Sequence, residues 1–495
     1  MKKFLEILQH WAKRSEAIAL HFSEEDASWT YSNLVEELGK VHAFLRFYGV
    51  KAGDKVAVLS GNSSEMVFLL LGCLTYNAVW MPVNPGLKQS EVRELIQHAD
   101  PCLVLFAKGR DKLIPSAWAA MPLESYAPFR STNLEAASHL SEGGVLIYTS
   151  GTTGNPKGIL LSERQLLANI QGVQPFLEKG PATIAACFLP LFHLFGVQSD
   201  LLGTLVHGGK VVVLPEFDLR QIASLAQAIC TNKVNTFSAV PLMFDLLLRF
   251  GAAIPFGQLA YCVSGGAPMP PDLKKRFEVH FGTEVLAAYG VTEAACFCLC
   301  PRKGIHVNGS VGHPTGIEIA IIDAKGKRVV SGEIGELLIR GESVIQDGYF
   351  RDSRNCYLEL DGKPWFRTGD LGKQDQAGCY FITGRLKNMV IKGGTKIYLE
   401  DIDYFLQGLE EVKEAVCLRL AADSNAGIEG FACFVVRNAE SQNSVDAAII
   451  RKKLREALGP DKVAEQVIFL DKFNRTASGK IKTGELQDQL SCYDH

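Results

Sequence analysis

Not one Gly-Lys pair in this 495-residue chain is followed by Ser or Thr. The residues after Lys40, Lys210, Lys327, Lys363, Lys373 and Lys480 are Val, Val, Arg, Pro, Gln and Ile. The nucleotide loop that requires Gly-Lys-Ser/Thr is missing, which disfavours a P-loop NTPase. An excess of one charge is missing too: 51 basic residues against 54 acidic ones leave a net charge of −3. Such a balance gives no global pull toward nucleic acid or an anionic membrane. The 13 cysteines, scattered from Cys73 to Cys492, show no zinc-type pairing. They suit buried thiols in a reducing compartment. The cluster Cys296-Phe-Cys-Leu-Cys300 alternates at strand period without a second knuckle, so no metal site is expected there. No uninterrupted apolar run spans a bilayer either. Met66–Val83 is broken by Thr75, Tyr76 and Asn77 and reads as a buried helix, a left-handed turn at Asn77 and a strand. Glu6, Gln9, His10 and Lys13 interrupt any secretory apolar segment after Met1-Lys-Lys. A cytoplasmic location without a transmembrane segment is expected.

What the chain does have is apolar mass, 47% of its residues. At roughly 150 residues per domain it should form two to four domains. Residues 1–140 alternate helix and strand patterns: a helix near Asn33–Gly49 with a Ser cap, a strand at Asp54–Ser60, a helix at Ser63–Tyr76, a helix near Ser90–His98 and a strand at Cys102–Phe106. That rhythm implies right-handed crossovers and a mostly parallel sheet. Residues 112–140 are weakly periodic and read as a linker or covering loop.

The densest chemistry lies in Ile147–Gly158, Ile-Tyr-Thr-Ser-Gly-Thr-Thr-Gly-Asn-Pro-Lys-Gly. Glycines there let successive N–H groups turn inward as an anion nest. The hydroxyls of Thr149, Ser150, Thr152 and Thr153 add donors and Lys157 adds a charge. This is a loop suited to phosphate, although a solvated Gly/Thr turn has the same composition. Downstream, apolar strands run into loops of small residues: Ala260–Ser264 into Gly265-Gly-Ala-Pro268, and Val285–Ala288 into Tyr289-Gly-Val-Thr-Glu293. Ligands of open α/β sheets bind at such carboxyl ends. His193 lies alone in the apolar segment Cys187–Gly196, a setting that also fits a satisfied core histidine. From about Gly309 short strands with Gly turns suggest a β-rich subdomain ending in Trp365-Phe-Arg-Thr-Gly-Asp370. Asp370 alone would pass as a turn residue. The last ~110 residues fit a small domain: helix Tyr398–Leu409, strands Ala415–Leu420 and Gly430–Val436, helix Ser444–Leu458 and a strand at Val467–Leu470.

Taken together, Tyr-Thr-Ser-Gly-Thr-Thr-Gly-Asn-Pro-Lys-Gly, Leu-Pro-Leu-Phe-His-Leu-Phe-Gly, Ser-Gly-Gly-Ala-Pro, Tyr-Gly-Val-Thr-Glu, Phe-Arg-Thr-Gly-Asp-Leu, Gly384-Arg-Leu-Lys-Asn and Asn474–Ile481 fall in one order. In that order the chain closely resembles the adenylate-forming superfamily over about residues 25–485. Its members are acyl-CoA synthetases, adenylation domains of peptide synthetases and luciferases, and the motifs are nearest the AMP-forming acyl-CoA ligases. The resemblance implies an α/β protein. Its large N-terminal domain, residues 1–384, would hold two mostly parallel βα subdomains and a β-rich subdomain at about 309–384. A small mobile α+β domain, 385–495, would follow.

It further implies ATP, Mg²⁺ and CoA, or the phosphopantetheine of an acyl carrier protein, acting on a small carboxylic acid. Thr149, Ser150, Gly151, Thr152, Thr153, Gly154 and Lys157 would hold the β- and γ-phosphates, and Thr149 with Glu293 the metal. Gly266, Ala267, Pro268, Tyr289, Gly290 and Thr292 would surround adenine, and Asp370 with Arg385 the ribose or phosphate. Lys480 would be the catalytic lysine, His193 would face the acid, Lys387 would be the pivot, and Gly393 and Gly394 would reach the thiol channel. Asn474, Leu399, Ala288 and Asn77 depart from the family pattern, the first two beside the thiol channel. Amino-acid-activating relatives carry an aspartate near the His193 position, absent here, so a fatty or aryl acid is favoured. A carrier-protein ligase, a luciferase-like oxygenase and a nucleotide-binding scaffold remain the alternatives.

Overall fold

The computed structural model describes the chain except residues 1–2, 15, 117, 133, 135–142, 150–156, 251–257, 306, 393–394, 421–429, 439–444, 476–480 and 492–495. Thirteen strands come first in the chain: β1 (Ile18–Phe22), β2 (Ala27–Thr30), β3 (Lys55–Leu59), β4 (Val79–Val83), β5 (Leu103–Phe106), β6 (Ala120–Pro122) and β7 (Gly144–Thr149). They continue with β8 (Lys157–Ser162), β9 (Ile184–Cys187), β10 (Lys210–Val213), β11 (Thr236–Ala239), β12 (Tyr261–Ser264) and β13 (Glu284–Ala287). Two sheets contain them all, one ordered β6-β5-β3-β4-β7-β8 and the other β13-β12-β11-β9-β10-β1-β2. Pairing is parallel apart from the β7–β8 and β1–β2 edges. Strands such as β3 and β4, apolar and buried on both faces, are those a helix-covered parallel sheet requires.

Helix boundaries follow local capping. Ser63 caps Ser64–Tyr76, and Asn77 ends it at φ +67°. Nearly every residue of that helix is buried, so its apolar run is a core element; among the described residues no helix is long and apolar enough to cross a membrane. Ser162 and Gln165 form a capping box at the start of Glu163–Leu177. Three expectations need correction. The cap of the helix Tyr31–Phe47 is Thr30 rather than Ser32, because the strand before it ends one turn earlier. The 112–140 stretch includes β6, paired to β5, which its weak periodicity concealed. Cys296–Cys300 is largely a turn, with Ala295 at φ +58° and Cys296 at φ +113°; only Leu299–Cys300 is strand.

Packing divides the chain into two compact units, Met1–Ile319 with Ile339–Phe366, and Ala320–Leu338 with Arg367–His495. The 384/385 position expected from sequence falls inside the second unit. From 309 to 384 the named elements are all strands, including the turn-linked pair Tyr357–Leu360 and Lys363–Gln374. In the second unit Val412–Arg419 lies antiparallel to Phe431–Arg437, which pairs parallel to Gln466–Leu470. One face of this sheet, with Ala415, Cys417 and Cys433, packs on Ile402, Leu406, Ile450 and Leu454 of two helices. The other, with Leu418, Phe434 and Val436, packs on Leu486 and Leu490. The alternation of faces along each strand is the period-2 pattern that made these strands legible.

Candidate active site

Strands β9, β11, β12 and β13 lie side by side and parallel, with Phe237 opposite Ala186, Ala239 opposite Ser264 and Ser264 opposite Ala287. Their carboxyl ends therefore share one edge, and the segments leaving them carry His193, Gly265–Pro268 and Tyr289–Glu293. Gly266, Ala267 and Pro268 form an exposed loop. Tyr289 is fixed by a two-way backbone bridge to Leu299, at 3.0 and 2.9 Å. Gly290 meets the chain at such close range that a Cβ would overlap the Cys296 carbonyl oxygen and lie 2.6 Å from its carbon. Asn169, fully buried on Glu163–Leu177, holds the far side of this turn. Its Nδ2 donates to the Ala294 and Phe297 carbonyls at 3.0 and 2.7 Å, and its Oδ1 accepts the Phe297 N–H at 3.2 Å. Sequence reasoning missed Asn169, since one amide in an amphipathic helix carries no signal.

The phosphate-type loop springs from a hairpin. Thr149 and Lys157 stand directly opposite each other across β7 and β8, so the strands bring the two ends of the loop together. Ser150, Gly151, Thr152, Thr153 and Gly154 lie outside the described residues. Lys157 Nζ sits 4.7 Å from the centroid of the Tyr349 ring, and the Tyr349 hydroxyl donates to Glu293 Oε1 at 2.8 Å. A single tyrosine thus links the base of the loop to the carboxylate that follows Thr292. Burial, and then the neighbouring Glu293 charge, push the Tyr349 hydroxyl well up, so it remains a donor. Gly348-Tyr-Phe is irregular apart from a Phe350–Gly158 bridge. The Phe350 N–H to Gly158 bond (2.8 Å) and the Ile345 N–H to the Glu293 carbonyl (2.9 Å) tie the same elements together.

A resident multi-ligand metal cage is not indicated, because no cluster of three or more His, Cys, Asp or Glu occurs among the described residues. A single carboxylate such as Glu293, held by the Tyr349 hydroxyl, is a donor of the kind Mg²⁺ takes, since that ion keeps several waters and binds largely through substrate phosphates.

His193 is half-buried, its N–H bonded to the Pro190 carbonyl at 3.0 Å and its ring 4.9 Å from that of Phe192. It opens the short turn Leu194–Gly196, in which the Phe195 ring fills the space beside Gly265; a Cβ on Gly265 would lie 2.9 Å from it. Fold thereby joins the histidine segment to the β12 loop, 70 residues later in sequence.

The second unit holds another cluster. Asp370 and Arg385 are cross-strand partners, and Arg385 Nε approaches Asp370 Oδ1 at 2.8 Å. Asp370 is buried while Arg385 is about half exposed. Glu400 accepts from the Arg385 N–H at 3.2 Å and from Asn388 Nδ2 at 2.9 Å. Gly384, at φ +154°, lets that carboxylate approach, for a Cβ would overlap it. Lys387 is exposed. Gly393, Gly394 and Lys480 lie outside the described residues.

The hairpin with Thr149 and Lys157 at its open end, the small-residue loops at parallel strand ends and the Tyr349-bonded Glu293 all belong to the first unit. The chain belongs to the AMP-binding enzyme family, which it matches over residues 8–350, with the family's C-terminal domain over 401–480. As a member it is an AMP-forming acid–thiol ligase using ATP. It is 32% identical to the sulfoacetate–CoA ligase of Cupriavidus necator, over 92% of this chain and 91% of that one. To the indoleacetate–CoA ligase of Aromatoleum aromaticum it is 30% identical, over 98% of each. ATP-bound MatB from Rhodopseudomonas palustris superposes with a TM-score of 0.87 at 25% identity, over 98% of both chains.

Proposed function

We propose that this protein converts a carboxylic acid without an α-ammonium group, of aryl or fatty type, to its CoA thioester through an acyl adenylate. The observation that carries the reading is the shared edge where the His193 turn, Gly265–Pro268 and Tyr289–Glu293 converge. In the first half-reaction the acid's oxygen bonds to the α-phosphorus of ATP and pyrophosphate leaves. In the second, the CoA sulfur bonds to the acyl carbon, its proton goes to solvent, and AMP leaves. Thr149–Lys157 would receive the β- and γ-phosphates. Thr149 and Glu293, the latter oriented by Tyr349, would hold Mg²⁺, which when bound supplies charge neutralisation at the phosphates. Gly266–Pro268, Tyr289, Gly290 and Thr292 would flank adenine, Asp370 and Arg385 the ribose and phosphate, and Lys480 the reacting oxygens. Gly393 and Gly394 would border the path of the thiol.

The acid class is supported by the apolar rings of the His193 segment: Phe192 stands 4.9 Å from the His193 ring, and Phe195 stands 6.1 Å from Phe297. The nearby buried carboxylate, Asp200, is already engaged by Ser238 and offers no partner for a substrate ammonium. Pyrophosphate release with ATP, Mg²⁺ and a set of aryl, fatty, dicarboxylic and amino acids, each with and without CoA, tests the reading. Turnover that CoA stimulates with an aryl or fatty acid is expected. A stoichiometric burst that CoA does not accelerate would transfer the acceptor role to a carrier protein. Oxygen uptake would mark a luciferase-like oxygenase, and silence across the set would overturn the proposed acid class.

A further inference from the structure

Three consecutive polar side chains, Gln198, Ser199 and Asp200, are each 1% exposed. All three belong to Val197–Leu202, a π-helical turn that directly follows the His193 turn. Turns of this kind are rare and recur at functional sites, and buried polar groups are costly unless bonded. Here the bonds reach three separate elements. Gln198 Nε2 donates to the Leu166 carbonyl at 2.6 Å. Lys179 Nζ, also buried, donates to the Ser199 carbonyl at 2.7 Å and to Thr204 Oγ1 at 3.0 Å. Asp200 grips β11: Oδ1 accepts the Ser238 hydroxyl at 2.7 Å and Oδ2 the Ser238 N–H at 3.2 Å. Ser238 Oγ also lies 2.7 Å from Ser199 Oγ.

The location gives these bonds consequence. Ser238 stands opposite Val263 of β12, one residue before the Ser264 that opens the Gly265 loop. The π-turn begins two residues after Phe195, whose ring fills the space beside Gly265. A shift of the turn along β11 must therefore carry Phe195 and His193 with it. Burial raises Asp200 to about 6 and lowers Lys179 to about 8, so both are mainly charged at neutral pH and their hydrogen bonds are charge-assisted.

We propose that Asp200 is a positioning residue for the acid substrate, bonding the π-turn to β11 and so setting where His193 and Phe195 stand at the strand-end edge. The proposal rests on the reading of the His193 turn as the wall of the acid site. Its test compares wild type with Asp200→Ala, Asp200→Asn and Ser238→Ala. Pyrophosphate release is followed with indoleacetate, ferulate, sulfoacetate, oxalate and a fatty acid, and amide exchange over residues 193–206 is followed in parallel. Asp200→Ala should raise KM for the acid by roughly tenfold or more, since a hydrogen bond to a charged group is worth about 1.5–3 kcal/mol. Its KM for ATP should change much less than its KM for the acid, because Asp200 bonds no residue of the loops assigned to adenine. Asp200→Asn should recover part of the loss, its amide oxygen still accepting the Ser238 N–H. Ser238→Ala, which keeps that N–H, should show the same split more weakly and serves if Asp200→Ala does not fold.

Equal changes in both KM values, or none in either, would overturn the proposal. If wild type is silent with every acid, the proposed acid class fails on its own. Exchange then decides the positioning claim, which stands if residues 193–206 exchange faster in the variants and falls if their rates match wild type.

Discussion

Gly290→Ala is a one-methyl change whose effect can be worked out from its surroundings. The added Cβ would overlap the Cys296 carbonyl oxygen, lie 2.6 Å from its carbon and 3.2 Å from Phe297 Cα. All three neighbours are backbone, so no side chain can swing aside. Nor can the backbone retreat freely. Asn169 holds the Ala294 and Phe297 carbonyls at 3.0 and 2.7 Å, and Tyr289 is bridged to Leu299 at 2.9 Å. Either those bonds stretch or Tyr289–Glu293 moves outward by more than the ~1 Å at which positioning already suffers. Overpacking of this kind costs about 1–3 kcal/mol of stability. A displacement near 1 Å at positioning groups costs ~10²-fold in rate. Acid-dependent ATP–pyrophosphate exchange should therefore fall by about two orders of magnitude, with a lower melting temperature. Gly484→Ala is the control: nothing lies within 4 Å of its Cβ and it sits in the helix Thr483–Ser491. It should leave exchange intact and raise stability by about 0.5–1 kcal/mol. Exchange in Gly290→Ala within threefold of wild type would refute the reasoning, because it would mean the turn has room that the geometry denies.

Tyr349→Phe keeps the ring over Lys157 and removes the donor to Glu293; a bond to a charged acceptor is worth about 1.5–3 kcal/mol, so KM for Mg·ATP should rise roughly 10–100-fold. Unchanged Mg²⁺ and ATP dependence would remove Tyr349 from the site. Lys480→Ala should abolish adenylate formation yet spare thiolysis of a supplied acyl adenylate, and loss of both halves would end that assignment. Asp200 predicts a pH effect on stability. Burial raises its folded-state pKa from 3.8 to about 6, so its contribution is full below about pH 4 and is lost as pH rises through 6. At 1.36 kcal/mol per unit the loss is about 3 kcal/mol, with the attraction of Lys179 already included. Denaturant titrations of Asp200→Asn should lack this decline between pH 4 and 6.5, and a parallel decline in both proteins would refute it.

Much of the fold was legible because its signals are local. Apolar runs of four to six residues ending in Gly-rich turns marked β12 and β13. Ser63 and Asn77 announced the two ends of one helix, the first as a cap and the second by its left-handed conformation. Where the signal was weak the reading failed: β6 carries only Ala120-Met-Pro122 and depends on β5 for its identity as a strand. The alternating cysteines at 296–300 looked like a strand, yet close packing of Gly290 against Cys296 bends that backbone into a turn.

The sequence by itself determined the α/β class, the order of the motifs and the chemical types at the candidate site, since composition and spacing are properties of one strand or loop at a time. Which residues meet was decided by tertiary structure alone. Tyr349 reaches Glu293 across 56 residues of chain, Asn169 reaches Phe297 across 128, and Asp200 reaches Ser238 across 38. Each of those bonds depends on two elements being laid side by side by burial of apolar faces that lie elsewhere. No pattern within either element encodes its partner, so the bonds become visible only once the sheets are assembled.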